Sequence, residues 1–349
     1  MQQNQLMKQT AIFAALFAVA AMAVIIYYSA NKVVVVNDVA QDEVVHSMGT
    51  AKQEKTPENI REKNRIVFDS NSQKTNCFCI PLHSSVTAEN VTIENHYMDK
   101  ELWISIQQKR KDDVNEEFYR SNGVYGNRDA VIDGYFENGE ETFWLKFQLN
   151  DIYEYSSIFE NNNLYIEFMT PKEVYDKIVI IDPAYGDDVS GFITLAIARN
   201  LKQKLDETDI KVYYTRMSDT NPTDESRVNL ANAARADMLI RIEVGEEDDG
   251  KVFGTEAVYN SHFFIPEFGS VELADLLERE VVTAISGKAN GLIESTKDDT
   301  VINWAEVPAA TIRVGYVSNA QEAILLSHED YIQKIADGIY QAIMKAYEE

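Results

Sequence analysis

Residues 177–188 read KIVIIDPAYGDD, an apolar run that ends on Asp-Pro and is followed by two further carboxylates. A short, fully apolar run of this kind is typical of a buried strand in an α/β protein. Such proteins keep their ligand and catalytic sites at the carboxyl ends of the strands. The stretch therefore raises the question of whether Tyr185, just past this strand end, belongs to a site.

The chain beyond Thr170-Pro171 alternates between strand and helix patterns. Strand-like runs are KVYYTR, MLIRIEV, GTEAVYN and TIRVGY, and helix-like segments cover residues 191–207, 225–236, 271–285 and 320–347. This alternation predicts an α/β domain with a mostly parallel sheet flanked by helices over residues 171–349. Its strand ends carry a set of polar residues, which are the candidate cleft residues: Asp182, Tyr185, Asp187, Asp188, Arg216, Glu243 and Arg313.

Residues 63–170 have a different pattern, in which apolar side chains recur at every second position. The runs IVFD, VTIENHY, ELWISIQ, AVIDGYFEN, TFWLKFQL and NLYIEFM are typical of strands. Asn138-Gly139 between two of these runs indicates a hairpin turn. The pattern predicts a small antiparallel β-sandwich domain, and we find no catalytic constellation in it.

The N-terminus contains a long uncharged apolar stretch. Eighteen residues, Ala11 to Tyr28, carry no charge, which is just long enough for a membrane-spanning helix. We therefore predict a transmembrane anchor at residues 10–29, a cytoplasmic tail at 1–9 and a linker at 30–62, with the bulk of the chain outside the cell membrane. A cleavable signal peptide is the alternative, but bulky Tyr28 near the best cleavage site at Ala30 argues against it.

The chain is strongly acidic, with 32 Lys and Arg against 57 Asp and Glu and a net charge of −25. An excess of negative charge of this size repels nucleic-acid phosphates, so nucleic acid is not an expected partner. The only cysteines, Cys77 and Cys79, are one residue apart and lack the further ligands of a structural zinc site. They imply neither a metal centre nor a disulfide framework.

Several short motifs follow one another in the second half of the chain: Asp182-Pro183-Ala184-Tyr185-Gly186, Thr215-Arg216, Arg227 with Ala231-Asn232, Gly254-Thr255-Glu256, and Pro308-Ala309 with 313–319. In this order they resemble the zinc-dependent N-acetylmuramoyl-L-alanine amidases of the Amidase_3 type, which cleave stem peptides from peptidoglycan. The resemblance covers residues 177–349 and implies the amidase fold. The preceding β domain is similar in architecture to AMIN domains, which localise such enzymes in the cell wall.

The resemblance also shows where this sequence departs from the family. Such amidases hold one zinc ion with His, Glu and His and use a further Glu as general base. The corresponding positions here are Tyr185, a residue at or near Ser190, Glu243 and Arg313. A neutral phenol is a poor zinc ligand and a guanidinium can neither ligate a cation nor accept a proton. We therefore expect no catalytic residue at these positions and no bound cofactor, the family's zinc having been lost.

The sequence leaves open two arrangements of the residues at the former zinc and general-base positions. Glu243 and Arg313 can form an ion pair in the former metal cavity, with Tyr185 filling the remaining volume, or they can face solvent in an eroded cleft. Asp182, Asp187 and Asp188 would suit a hard cation, but the first belongs to the strand-end turn and the other two are placed to cap the next helix. His262 and His328 are not expected at the strand ends.

The function that follows is that of a membrane-anchored pseudoenzyme that binds peptidoglycan or a cell-wall or envelope protein. Two alternatives remain from the sequence. One is an active amidase that hydrolyses the MurNAc–L-Ala amide with an altered metal site. The other is a structural component of an envelope or spore assembly.

Overall fold

The computed structural model describes residues 77–107, 131–136, 142–261 and 265–348, together with the strands at 34–36 and 66–69. The predicted anchor at 10–29, the tail at 1–9, most of the linker, the Asn138-Gly139 turn and His262 lie outside these residues. Among the residues that are described, no helix is long and apolar enough to cross a membrane.

The first part of the chain folds into two β-sheets that face each other. Its strands are β1 (Val34–Val36), β2 (Ile66–Asp69), β3 (Phe78–Pro81), β4 (Val91–His96), β5 (Glu101–Gln107), β6 (Val131–Phe136), β7 (Thr142–Gln148), β8 (Glu154–Glu160) and β9 (Asn163–Met169). One sheet has the order β1-β4-β5-β7-β6-β2 and the other β3-β9-β8. All of these pairs are antiparallel except β1 with β4.

Alternating apolar side chains join the two sheets. Phe143, Leu145 and Phe147 on β7 are fully buried, while the residues between them are partly exposed. The ring of Phe147 meets that of Phe78 from β3 edge to face, with 5.2 Å between the ring centroids. The period-two pattern thus forms a sandwich core, because each strand turns one face inward.

The second part of the chain is an α/β domain. Its elements are α1 (Pro171–Val174), β10 (Ile178–Pro183), α2 (Asp188–Leu205), β11 (Lys211–Tyr214), α3 (Asp224–Ala234), β12 (Met238–Gly245), β13 (Thr255–Tyr259), α4 (Ser270–Ile285), β14 (Ala289–Glu294), α5 (Thr300–Asn303), β15 (Ala309–Tyr316), α6 (Ala320–Leu326) and α7 (Glu329–Ala346). The sheet order is β11-β10-β12-β15-β13-β14. The first four strands are parallel, but β13 runs antiparallel to β15 and β14 follows β13, so the predicted α/β fold is confirmed with a mixed sheet.

Strand β10 shows why a fully apolar run is needed here. Val179 and Ile181 point to one face of the sheet, where they join a core made with α2, α4 and α7. Ile178 and Ile180 point to the other face, which is covered by α3 and α5. A strand with helices on both faces has no solvent-facing side, and the side chain that follows, Asp182, is therefore buried as well.

The β domain covers the edge of this sheet through Tyr97. Its hydroxyl donates a hydrogen bond to the carbonyl oxygen of Tyr214 on edge strand β11 (2.8 Å) and accepts one from the Tyr214 amide (3.1 Å). The Tyr97 ring also lies edge-on to that of Tyr213, with 5.0 Å between centroids. One phenol thus satisfies two backbone groups of an edge strand, which would otherwise be open to pairing with another chain.

We expect Tyr97→Phe to lower the free energy of unfolding by about 1–3 kcal/mol, because it leaves both backbone groups of Tyr214 buried without the phenol. Urea unfolding measures this change. Tyr340→Phe is the matched control, since no hydrogen bond to its hydroxyl is seen in the described part of the chain, and we expect a change below about 0.5 kcal/mol. Equal effects of the two substitutions would contradict the assigned role of Tyr97.

Candidate functional site

The site begins at Asp182, which lies at the end of β10 and is completely buried. Its carboxylate accepts hydrogen bonds from Arg227 of α3, Arg241 of β12 and the hydroxyl of Thr215, which follows β11. Burial alone would raise the pKa of Asp182, but the two guanidinium groups and the hydroxyl hold it below its ordinary value. Asp182 is therefore an ionised, fully paired carboxylate.

The neighbouring strands continue this pairing across the sheet. The strand register sets Asp182 beside Arg241, Glu243 beside Arg313, and Arg313 beside Glu256. Arg241 Nε donates to Glu243 Oε1 at 3.1 Å, and Arg313 Nη2 donates to Glu243 Oε2 at 3.2 Å. Arg313 Nη1 donates in turn to Glu256. The carboxylate of Glu243 is thus held between two guanidinium groups.

These contacts make one continuous cluster, which we call the ion-pair network: Arg227, Asp182, Arg241, Glu243, Arg313 and Glu256. Its three carboxylates balance its three guanidinium groups, so it carries no net charge when all six are ionised. Burial would lower the pKa of Arg313, but Glu243 and Glu256 raise it above its ordinary value. Burial and then Glu256 raise the pKa of the adjacent Tyr316 to about 12.

The network opens toward solvent at the Glu243–Arg313 pair. The side chain of Glu243 is 25% exposed and that of Arg313 is 23% exposed, whereas Asp182 has no exposed surface. The ion pair therefore forms, as one of the two arrangements expected from the sequence has it, but both side chains remain partly exposed to solvent. Its contribution to stability is smaller than that of a fully buried pair, since water screens part of the interaction.

Tyr185, just past the end of β10, lies next to the residues that follow β11. Its half-buried ring is 5.3 Å from the Cζ atom of Arg216, and its hydroxyl is hydrogen-bonded to Asp219, which raises the pKa of the phenol. Arg216 is buried and donates to the carbonyl oxygens of Pro183, Ala184, Gly191 and Ser218. The contacts that hold Tyr185 are therefore made with Arg216 and Asp219, and not with the Glu243–Arg313 pair.

The acidic residues that follow β10 stabilise the start of helix α2. Asp187 is the N-cap of α2, and its carboxylate accepts a hydrogen bond from the amide of Ser190 at 2.7 Å. This bond lowers the pKa of Asp187. Ser190 is buried in the first turn of α2, and Asp188 is the first residue of that helix. Capping explains this pair of carboxylates without a bound cation.

The residues at the family's metal positions do not fit a zinc ion. Both oxygens of Glu243 accept hydrogen bonds from guanidinium groups, so a dication would have to displace two positive charges. Arg313 itself cannot ligate a cation, since its guanidinium group offers only donors. Within the described part of the chain, no group of three or more His, Cys, Asp or Glu side chains is arranged to hold a metal ion. His328 is an exposed residue at the start of α7.

Three members of the network could not be recognised as part of the site from the sequence alone: Arg227, Arg241 and Glu256. Arg227 and Glu256 appear only as parts of motifs, and Arg241 interrupts an apolar strand. The available signal is the spacing of Arg241 and Glu243, because residues two apart on a strand share a face. The partner strands could not be assigned without the register, which only the folded sheet provides.

Comparison with known proteins gives a consistent set of matches for this half of the chain. Residues 179–345 match the model of the family described as N-acetylmuramoyl-L-alanine amidase. The germination-specific N-acetylmuramoyl-L-alanine amidase of Bacillus subtilis is 26% identical over 234 residues, which cover 59% of this chain and 95% of that protein. N-acetylmuramoyl-L-alanine amidase LytC of the same organism is 25% identical over 183 residues, which cover 50% of this chain and only 36% of LytC.

A solved structure is similar to the same half of the chain. It is the N-acetylmuramoyl-L-alanine amidase from Clostridium difficile 630, with 27% identity and a TM-score of 0.46, covering 50% of this chain and 97% of that one.

We expect Glu243→Gln to lower the free energy of unfolding by about 1–3 kcal/mol, because it leaves Arg241 and Arg313 without their shared carboxylate. The quarter exposure of the pair keeps the loss below the 3–5 kcal/mol or so that is typical of an orphaned, fully buried charge. Chemical denaturation measures it. Glu246→Gln, in the exposed loop after β12, removes the same charge and should change stability by less than about 0.5 kcal/mol.

Asp182 predicts a defined pH dependence. Its pKa is lower in the folded state than in the unfolded chain, so its stabilisation is present above the unfolded pKa of about 3.9 and is lost as the pH falls through the folded value. Asp182→Asn should therefore cost about 3–5 kcal/mol at neutral pH. Its difference from the unsubstituted chain should shrink below about pH 4 in denaturation curves. A difference that stays constant down to low pH would contradict this account of Asp182.

Proposed function

We propose that this domain, whose residues 179–345 match the family model described as N-acetylmuramoyl-L-alanine amidase, is a non-catalytic member of that family that binds its target without cleaving it. The observation that carries the proposal is the position of Glu243, whose carboxylate is clamped between Arg241 and Arg313. A family member that hydrolyses an amide needs an open metal at this place, and the ion-pair network supplies cations of its own.

The chemistry of the individual residues supports the same conclusion. A catalytic zinc needs three protein ligands and an open position, at which it acidifies water and polarises the scissile carbonyl. Tyr185 is held by Arg216 and Asp219, and Ser190 offers a hydroxyl within the first turn of α2. Arg313 stands where the general base would be, and its pKa is raised, so it stays protonated and accepts no proton. The residues at these positions therefore supply neither the ligand set nor the general base with which the family activates water.

The proposal also includes where the protein works and how its two domains are carried. The family acts on peptidoglycan, and we propose that this chain works at the same place, outside the cell membrane, where it binds peptidoglycan or a protein of the wall or envelope. The uncharged stretch at 10–29 supports a membrane anchor. The β domain, joined to the sheet edge through Tyr97, would be carried with the amidase-type domain as one unit.

A zinc and turnover assay tests the loss of catalysis. We expect the full chain to co-purify with far less than one zinc ion per molecule, measured by elemental analysis, and to release no stem peptide from purified peptidoglycan. An active amidase of the same family, assayed in parallel, shows that the substrate is competent. Stoichiometric zinc together with turnover would establish the alternative, a working amidase with an altered metal site.

A further inference from the structure

The first turns of α2 present apolar side chains to solvent. Val189 is 58% exposed and Phe192 is 66% exposed, although the helix buries Ile193, Leu195 and Ile197. Val189 and Phe192 are three residues apart and therefore lie next to each other on one side of the helix. Large apolar side chains in adjacent exposed positions are typical of contact surfaces.

Tyr185, three residues before α2, adds a partly exposed aromatic ring to this region. The chain passes so close to α2 at this point that a Cβ atom at Gly191 would lie 2.4 Å from the carbonyl oxygen of Tyr185. The backbone of Tyr185 thus lies against the first turns of α2, and its partly exposed ring faces Arg216. Tyr185 and the two apolar side chains all belong to the segment that follows the end of β10.

Carboxylates border this surface. Asp187, Asp188 and Asp219 are exposed, and both Asp219, through its hydrogen bond, and Asp188, through its charge, raise the pKa of the Tyr185 phenol. Arg216, the cation beside the Tyr185 ring, is buried, and most of its donors are taken up by backbone carbonyl groups. Arg199 is exposed two turns further along α2, where it donates to the carbonyl oxygen of Met217. A second acidic segment, Glu246–Asp249, leaves the same edge of the sheet after β12. The ion-pair network adds no net charge, so this edge is negative.

We propose that this surface, the α2 patch formed by Tyr185, Val189 and Phe192 with Asp187, Asp188 and Asp219, docks a cationic protein segment that carries an apolar anchor residue. The proposal rests on the proposed function, because it names the partner that a binding domain without turnover would take. Apolar anchors provide the affinity of such interfaces, and charges around them select the partner. Peptide stems of peptidoglycan carry carboxylates of their own, so the negative border favours a basic protein over the glycan.

The test uses the full chain in nanodiscs of zwitterionic lipid, with empty nanodiscs as the blank. The probe is a short fluorescein-labelled peptide of alternating lysine and serine with one central leucine, and binding is followed by fluorescence anisotropy at low and high salt. We expect binding that weakens with salt. It should be lost when the lysines are replaced by glutamate and weakened when the leucine is replaced by serine.

Matched variants locate the binding on the α2 patch. Phe192→Ser, and separately Asp188→Asn with Asp219→Asn, should each weaken probe binding about tenfold or more, the effect of losing an anchor or a border of an interface. Ile158→Ser on β8 removes an equally exposed apolar side chain, and Glu207→Gln with Glu306→Gln removes the same charge elsewhere. Both controls should keep binding within about twofold.

Three results would overturn the proposal. The first is an equal loss of probe binding in the charge control, Glu207→Gln with Glu306→Gln, which would mean that the probe is attracted to any acidic surface of the protein. The second is a Phe192-dependent binding of purified sacculi without binding of the probe, which would assign the patch to glycan. The third is a dimer in sedimentation analysis that Phe192→Ser converts to monomer, which would assign it to a second copy of this chain. Turnover measured on the same preparation separates the two claims, since turnover would sink the proposed function even if the probe binds.

Discussion

The arrangement of the site depends on one buried ion pair, in which Asp182 is held by the guanidinium groups of Arg227 and Arg241. A carboxylate without exposed surface is costly unless it is paired and hydrogen-bonded. Strand β10 carries Asp182 into the interior because helices cover both of its faces. Arg241 is then fixed by Asp182 on one side, and this places its Nε where it can also hold Glu243. Glu243 is paired in turn with Arg313, and Arg313 with Glu256, since each of these partly buried charges needs a partner of the opposite sign.

This chain of pairings explains how the amidase-type sheet keeps its fold while the residues at the metal positions differ. Glu243 and Arg313, at two of the positions aligned with the family's site, pair across neighbouring strands, whereas Tyr185 contacts Arg216. The resulting network is neutral, so it removes the electrostatic demand for a bound cation. The fold depends on β10, β12 and β15 and on the helices around them, and none of these contacts requires zinc. The outer surface, in contrast, is free to acquire a binding role on α2.

Much of this could be predicted from the sequence. The α/β fold followed from the apolar run of β10 and from the alternation of strand and helix patterns. Strands β3, β8 and β14 were missed, because β3 has only four residues, β8 contains two adjacent serines and β14 contains Asn290 and Gly291. The pairing of Glu243 with Arg313 could be proposed from opposite charges at aligned motifs. The parts played by Arg241 and Glu256 depend on strand register, and the position of Tyr185 depends on Arg216 and Asp219, which no local pattern encodes.

The central claim is that the ion-pair network leaves no site for zinc in the folded protein. A ligand that binds only the native state raises the thermal midpoint, so thermal unfolding with increasing zinc tests this most directly. The account predicts a midpoint that does not change with zinc, both for the unsubstituted chain and for Glu243→Gln. A midpoint that rises with zinc and loses this response in Glu243→Gln would show that Glu243 ligates the metal, and would contradict the account.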